Sequence, residues 1–185
     1  MHAMSRREGE LMLVGVVEMD ESYVGGARCG IRGLGAKGKT PVAVMCEQNE
    51  SGGCSLAHIQ VTHDISGLKL GGAATSHETA GSIVATDGLP AYGKLASLGY
   101  AHEPLVVGGA DASELLPWMH IIISNFKRWI PDVFHGVSAK QLQSYLDEFC
   151  YRLNRRKQRT NLFRRVLNRC VRFTKPVTYA QLIDC

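Results

Sequence analysis

The apolar positions in the first third of the chain recur in short runs rich in β-branched residues, separated by polar turns. These runs predict strands over Leu11–Val24, Pro41–Cys46 and Cys54–Val61. Residues 48–53, which join the second and third runs, have the composition of a hairpin turn. We therefore predict an antiparallel meander of three strands.

The middle of the chain alternates between strand and helix patterns. Ser82–Gly88 predicts a short buried strand, and His102–Val107 predicts a fifth strand. Between them, Pro90–Leu98 predicts a helix, because proline is tolerated in a first turn, where its missing N–H costs nothing. A helix is also expected over Asp64–Ala80, although its three glycines reduce helix propensity.

The segment from Leu115 to Arg156 is the longest helical pattern. We expect a helix, an internal break at Pro131 and at His135-Gly136, and then a second helix that the Ser138 hydroxyl caps. One apolar stripe runs along the second helix and consists of Leu142, Tyr145, Leu146, Phe149 and Leu153. The order β-β-β-α-β-α-β-α predicts an α/β fold of the ribonuclease-H-like type, a mixed β-sheet flanked by α-helices.

Length and composition exclude several classes of protein. A chain of 185 residues is long enough for one domain with a real core. Its apolar runs are far shorter than the roughly 18–20 residues that span a bilayer, and its start does not resemble a signal peptide, so we expect a cytoplasmic protein with no membrane partner. The six cysteines form no C-x-x-C pair, which argues against a zinc knuckle and a disulfide framework.

The charge is distributed unevenly along the chain. The net charge is only +4, yet ten Lys or Arg and no Asp or Glu occur between Arg152 and Lys175. This asymmetry is typical of a protein that binds phosphate groups, although a merely solvated basic helix has the same pattern. The candidate phosphate contacts are Arg152, Arg155, Arg156, Lys157, Arg159, Arg164 and Arg165.

Two aspartates follow predicted strands and are candidate metal ligands. Asp20 stands after the first strand and Asp87 after the fourth, so their side chains lie side by side if both strands are central. Mg²⁺ prefers several oxygen ligands, and paired carboxylates from adjacent strands supply them. The alternative for Asp87 is an ordinary surface turn. Glu18 and Glu21 are expected on the face opposite Asp20, as solvent-facing or supporting residues.

The third ligand is ambiguous from the residues alone. His120 and Lys127 are seven residues apart and share one face of a helix, whereas Asn125 points elsewhere on an unbroken helix. Histidine nitrogen and the Asn carbonyl are both weaker Mg²⁺ ligands than carboxylate. Asp147 and Glu148, on the next helix, are alternative third carboxylates.

Four segments of the chain resemble the insertion-sequence transposases of the DDE superfamily, specifically the ISXO-type branch. They are VVEMDESYVGG (16–26), VATDGLPAYGKLASLGYAH (84–102), LPWMHIIISNFKRW (116–129) and FHGVSAKQLQSYLDEFCYRLNRR (134–156). The resemblance implies a ribonuclease-H-like catalytic domain over residues 1–156, followed by a basic tail over residues 157–185. It also implies DNA cleavage and joining with Mg²⁺ or Mn²⁺, and homo-oligomers that assemble on DNA.

The resemblance also implies roles for individual residues. Asp20 and Asp87 match the first two catalytic acids of the family, and Asn125, followed by Lys127, matches its third position. Counting back two turns from Lys127 places His120 there instead.

Two departures from the family leave alternatives open. No glutamate occupies the third position, and the chain begins just before the first strand, without the cysteine-rich DNA-binding segment of complete members. The alternatives to a transposase are therefore a catalytically degenerate DNA-binding remnant and a nuclease of the same fold that lacks end specificity.

Overall fold

A five-stranded mixed sheet organises the chain, with the strand order β3-β2-β1-β4-β5. The strands are β1 (Val16–Val24), β2 (Thr40–Gln48), β3 (Cys54–Val61), β4 (Ile83–Thr86) and β5 (Ala101–Pro104). The first three are antiparallel neighbours, while β4 runs parallel to β1 and β5 runs parallel to β4. This topology confirms the predicted ribonuclease-H-like α/β fold.

In the part of the chain that the structure describes, five α-helices accompany the sheet: α1 (His2–Gly9), α2 (Gly67–His77), α3 (Pro117–Val133), α4 (Leu142–Asn154) and α5 (Leu162–Arg172). The computed structural model describes residues 2–25, 39–63, 66–79, 81–87, 90–105, 116–134, 137–172 and 178–179. None of the helices within these ranges is long and apolar enough to cross a membrane.

The two faces of the sheet bury different side chains because residues alternate along each strand. Val42, Val44 and Ile59 lie on one face and pack against α3 and α4. Val17 and Met19 lie on the other, in the core that includes residues of α2. The even-numbered residues of β1, like those of β2, therefore face α3 and α4.

Several predicted boundaries differ from the structure. The first strand begins at Val16 rather than Leu11, and Leu13 makes an isolated parallel bridge with Glu78 ahead of it. The predicted helix over Pro90–Leu98 is two short 3₁₀ segments, Pro90–Lys94 and Ala96–Leu98. In the fifth predicted strand, residues 106–107 lie outside the described residues.

The predicted break at Pro131 is wrong, because α3 continues to Val133. A proline three residues from a helix end removes only one backbone hydrogen bond, and the Phe134 N–H still donates to the Ile130 carbonyl at 2.9 Å. The predicted break at residues 135–136 lies outside the described residues. The Ser138 hydroxyl accepts the Gln141 N–H at 3.3 Å, just ahead of α4, so it orders the turn before the helix rather than its first turn.

The sequence pattern does not predict helix α1. A buried ion pair holds this helix against the C-terminal end of α4. The Arg155 guanidinium donates to the fully buried Glu8 carboxylate at 2.8 Å, and the Asn154 amide donates to its other oxygen at 2.8 Å. The Arg155 guanidinium also lies 3.7 Å from the centre of the Tyr151 ring. These contacts join the first helix to residues almost 150 positions away.

Side-chain amides of α4 cover the outer edge of β3. The Gln143 amide accepts the Val61 N–H at 2.7 Å and donates to the Ile59 carbonyl at 2.9 Å. The Asn154 amide accepts the Ala57 N–H at 2.8 Å and donates to the Ala57 carbonyl at 2.9 Å. The edge strand therefore pairs with a helix where it has no neighbouring strand.

Candidate active site

The parallel pairing of β1 with β4 brings Asp20 and Asp87 together. Val16 pairs with Ile83 and Glu18 with Ala85, so the same register, continued by two residues, sets Asp87 beside Asp20. Both side chains lie on the face of the sheet that packs against α3, because each continues the alternation of a residue on that face. The prediction that Asp20 follows the first strand is wrong. Asp20 lies within β1, which extends past the end of β4.

Glu21 joins the two aspartates, although alternation directs it to the opposite face. One carboxylate oxygen from each of Asp20, Glu21 and Asp87 lies within 4.8 Å of the other two. The fully buried Tyr92 donates its hydroxyl to Glu21 at 2.7 Å and fixes that carboxylate. The three acids thus form an oxygen-rich cluster beside the end of β4.

Burial and mutual repulsion disfavour the ionised form of carboxyl groups in this cluster. Burial raises the pKa of the Asp20 carboxyl, and the charge of Asp87 raises it further. The Glu21 N–H donates to Asp20 at 2.8 Å and opposes this shift. Burial likewise raises the pKa of Glu21, against the opposing hydrogen bond from Tyr92. Closely spaced, partly desolvated carboxylates of this kind are a favourable setting for a hard divalent cation.

Glu18 does not lie on the face opposite Asp20, so that prediction is wrong. It lies on the same face as Asp20, two residues away, and it is only 1% exposed. Its carboxylate accepts the Gln48 amide at 2.6 Å and the backbone N–H of Met119 at 3.2 Å. Burial raises the pKa of Glu18, and these hydrogen bonds oppose the shift. Glu18 is therefore a support for the start of α3 rather than a solvent-facing residue.

Two residues of α3 lie on the flank that faces the acids. The charges of His120 and Lys127 both lower the pKa of Asp20. Burial lowers the pKa of Lys127, and the positive charge of the neighbouring Lys39 lowers it further. Lys39 is not among the predicted site residues. The two α3 residues share this flank because, seven residues apart, they lie about 20° from each other around the helix axis.

Asn125 lies on the other flank of α3. It is about 140° around the helix axis from His120 and lines a groove with Trp129 and Phe149. The two alternative carboxylates on α4 have their own partners: Asp147 accepts the Gln143 amide at 2.8 Å, and Glu148 pairs with Arg152.

The predicted phosphate contacts divide into engaged and exposed groups. Arg155 is committed to Glu8, and Arg156 donates to the Leu153 and Cys54 carbonyls, so neither presents an unengaged guanidinium. Arg152 pairs with Glu148 but remains half exposed.

The remaining phosphate candidates lie on or near α5. Lys157, Arg164 and Arg165 are exposed, while nothing is described of the Arg159 side chain. Along α5 the apolar side chains of Phe163, Leu167 and Val171 are also exposed.

Residues 12–154 match the family model described as the ISXO2-like transposase domain. Among curated proteins, none is significantly similar in sequence to this chain. The fold is similar to that of a pre-cleavage Mos1 transpososome, with 13% identity and a TM-score of 0.47 over 92% of this chain and 60% of that chain. The Mos1 mariner paired end complex with Mn has 12% identity and a TM-score of 0.31, with the same coverage of both chains. The chain thus spans about 60% of the length of these structures.

Proposed function

Because the chain belongs to the ISXO2-like transposase family, we propose that it is a catalytic domain that cuts and joins DNA at the ends of an insertion sequence. The observation that carries this proposal is the proximity of the Asp20 and Asp87 carboxylates, which the parallel neighbours β1 and β4 bring within 4.8 Å of each other. The reaction is attack of water or a 3′-hydroxyl on a phosphodiester, with the displaced 3′-oxygen as the leaving group.

The carboxylate cluster fits a hard divalent cation, Mg²⁺ or Mn²⁺. Its donors are all oxygens, and three carboxylates converge within 4.8 Å. Asp20 and Asp87 would hold the ion, with Glu21 beside them in the orientation that Tyr92 fixes. A divalent ion at such a site stabilises negative charge on the oxygens around phosphorus.

For the third position we propose His120 rather than Asn125. The support is that His120 lies on the flank of α3 that faces Asp20, whereas Asn125 lines the groove on the other flank. Imidazole binds Mn²⁺ better than Mg²⁺, so a histidine in place of the third carboxylate favours Mn²⁺. Lys127, on the same flank, would place its ammonium group against a phosphate near the scissile bond.

The DNA would lie across the exposed cations near the end of the chain. Lys157, Arg164 and Arg165 are exposed, with no acid between them in the sequence. Contacts of this kind bind phosphates without reading sequence and weaken steeply with salt. Because a transposition event processes two ends, we further propose that two copies act together on DNA.

The first test compares Asp20→Asn and Asp87→Asn with Asp132→Asn, a matched change at an exposed site on α3. We expect both site variants to lose Mn²⁺ binding by calorimetry and to lose nicking and joining of insertion-end duplexes, while duplex affinity stays unchanged. The Asp132 variant is expected to keep Mn²⁺ binding, nicking, joining and duplex affinity. A wild-type chain that binds duplex DNA but neither binds metal nor cleaves would instead be a DNA-binding remnant.

The second test addresses the third position. His120→Glu is expected to strengthen Mg²⁺ binding and to shift the metal preference from Mn²⁺ toward Mg²⁺, because it adds a carboxylate to the cluster. Asn125→Glu introduces the same charge on the other flank and leaves Mg²⁺ affinity unchanged. The reverse result would assign the third position to Asn125.

A further inference from the structure

A groove of about 560 Å³ lies between α3 and α4, on the flank of α3 away from the carboxylate cluster. Its lining combines two aromatic residues, Trp129 and Phe149, with two leucines and with the polar residues Asn125, Arg152 and Arg156. The volume is in the range of small-ligand sites. None of the described residues that line the groove is acidic, so it suits an anionic occupant.

The two aromatic rings that line the groove, those of Trp129 and Phe149, are packed against each other and against neighbouring rings. The centre of the Trp129 ring lies 5.3 Å from the centre of the Phe134 ring, in an edge-to-face arrangement, and 5.7 Å from the centre of the Phe149 ring. The Phe149 ring in turn contacts Phe126, deep in the core, at 6.2 Å. Trp129 is nevertheless only partly buried, and its ring lines the groove. A fixed, partly exposed indole is a stacking platform for a planar ring.

The polar side of the groove combines two chemistries. The Asn125 amide is exposed and offers both a donor and an acceptor, as the edge of a nucleobase requires. Arg152 donates to Glu148 through Nε at 2.9 Å and Nη2 at 2.5 Å, which holds its half-exposed guanidinium in place. Arg156 is anchored by its bonds to the Leu153 and Cys54 carbonyls. The two guanidinium groups bring positive charge to one groove.

We propose that this groove holds an unstacked nucleotide of the DNA substrate. The base stacks on Trp129, Asn125 meets its edge, and the half-exposed guanidinium of Arg152 contacts the flanking phosphate, while Arg156 adds positive charge beside it. This inference rests on the proposed function, since it requires a chain that binds DNA. It adds to that function a site that separates one nucleotide from the helix close to where the strand is cut.

The location of the groove fits this role. His120 and Lys127 occupy one flank of α3, and Asn125 and Trp129 occupy the other. The diameter of a helix is about 10 Å, which a DNA strand covers in roughly three nucleotide steps of about 3.4 Å each. A strand held at the carboxylate cluster therefore reaches the groove within a few nucleotides.

The test uses the full chain with Trp118→Phe, which leaves Trp129 as its single tryptophan, since the sequence contains two. The probes are a 16-nucleotide oligothymidylate, a 16-base-pair duplex, and the same duplex with one unpaired nucleotide. We expect the single strand and the bulged duplex to quench Trp129 fluorescence, and the plain duplex to quench it far less.

Substitutions then assign the effect. In the same background, Trp129→Ala is expected to weaken single-strand binding, read by fluorescence anisotropy, about ten-fold or more, with Trp129→Phe restoring most of it. Asn125→Asp, an exposed change that keeps the fold, has the same selective effect because it adds a negative charge to the groove. The control Arg165→Ala weakens all three DNAs to a similar extent.

The outcomes separate the groove from the proposed function. Binding of all three DNAs that is equally insensitive to Trp129→Ala and Asn125→Asp overturns the groove while leaving DNA binding in place. Binding of no DNA by the wild-type chain overturns both proposals. Selective loss for the single strand and the bulged duplex supports the groove.

Discussion

The Glu18 carboxylate on β1 accepts the backbone N–H of Met119 at 3.2 Å, so the central strand of the sheet anchors the first turn of α3. The free N–H groups of a helix N-terminus favour an anionic acceptor. Because His120 is the next residue along α3, the same contact orients the flank that faces Asp20. Glu18 thus connects the position of the carboxylate cluster to the position of the helix above it.

We predict that Glu18→Ala lowers the free energy of unfolding by about 2–3 kcal/mol, because it leaves buried N–H groups of α3 and Gln48 without an acceptor. Glu18→Gln retains one acceptor oxygen and costs less. Urea denaturation measures both, with the exposed Glu103→Ala as the control, which is expected to stay within about 0.5 kcal/mol of wild type. Equal stability of the Glu18→Ala and Glu103→Ala variants would contradict this role.

The ion pair between Glu8 and Arg155 leads to a second prediction. Arg155→Leu leaves a fully buried carboxylate without its cation and is expected to destabilise the fold by about 3–5 kcal/mol. The double variant with Glu8→Gln recovers at least about 1 kcal/mol, because no buried charge remains. Thermal or urea unfolding of the cycle measures this coupling. Lys157→Leu, a matched change at an exposed neighbour, is expected to be nearly neutral, and strict additivity in the cycle would argue against the coupling.

The buried carboxyl of Glu78 predicts a loss of stability as the pH rises from 4.5 to 7. It is 2% exposed, neither carboxylate oxygen has a partner among the described residues, and burial raises its pKa from 4.5 to about 7. The folded state keeps this proton between pH 4.5 and 7, whereas the unfolded state has released it, so stability falls as pH rises through this window. The shift corresponds to about 3 kcal/mol. Glu78→Gln is expected to remove that loss between pH 4.5 and 8, as followed by urea denaturation at each pH, whereas the exposed Glu50→Gln leaves it unchanged.

The buried ring of His58 predicts the opposite trend, a loss of stability as the pH falls. Its ring stacks on the His77 ring at 3.6 Å, and burial lowers the pKa of His58 from 6.5 to about 3. Between pH 6.5 and 3 the unfolded state binds a proton that the folded state does not, so stability falls as pH falls. At pH 5 the loss from His58 is about 2 kcal/mol relative to neutral pH. His58→Phe should abolish this part of the acid loss, while His63→Phe, at an exposed site, should leave the stability profile unaltered.

The parts of the site that the sequence predicts are those set by strand order. Asp20 and Asp87 follow from two strands that become neighbours in this fold. Glu21 does not, because alternation directs it away from Asp20. It reaches the cluster because β4 ends at Thr86 while β1 continues to Val24, which leaves one side of β1 open to side chains from both faces. That boundary depends on the register of two distant strands.

Long-range contacts explain the other differences. The helix α1 has no apolar stripe of its own and is held by Glu8, whose partners lie almost 150 residues away. Likewise, spacing alone leaves His120 and Asn125 open as third ligands. Which of them faces Asp20 depends on the flank of α3 that packs toward β1, and therefore on packing across the whole sheet.

The amides of Gln143 and Asn154 on β3 constrain how copies of this chain associate. Exposed sheet edges are where proteins add strands from a partner or a second copy. Addition at β3 would break the four hydrogen bonds that these two side chains make to Ala57, Ile59 and Val61. Under the proposal that two copies act together on DNA, we therefore expect them to meet through helices and loops rather than by joining their sheets at β3.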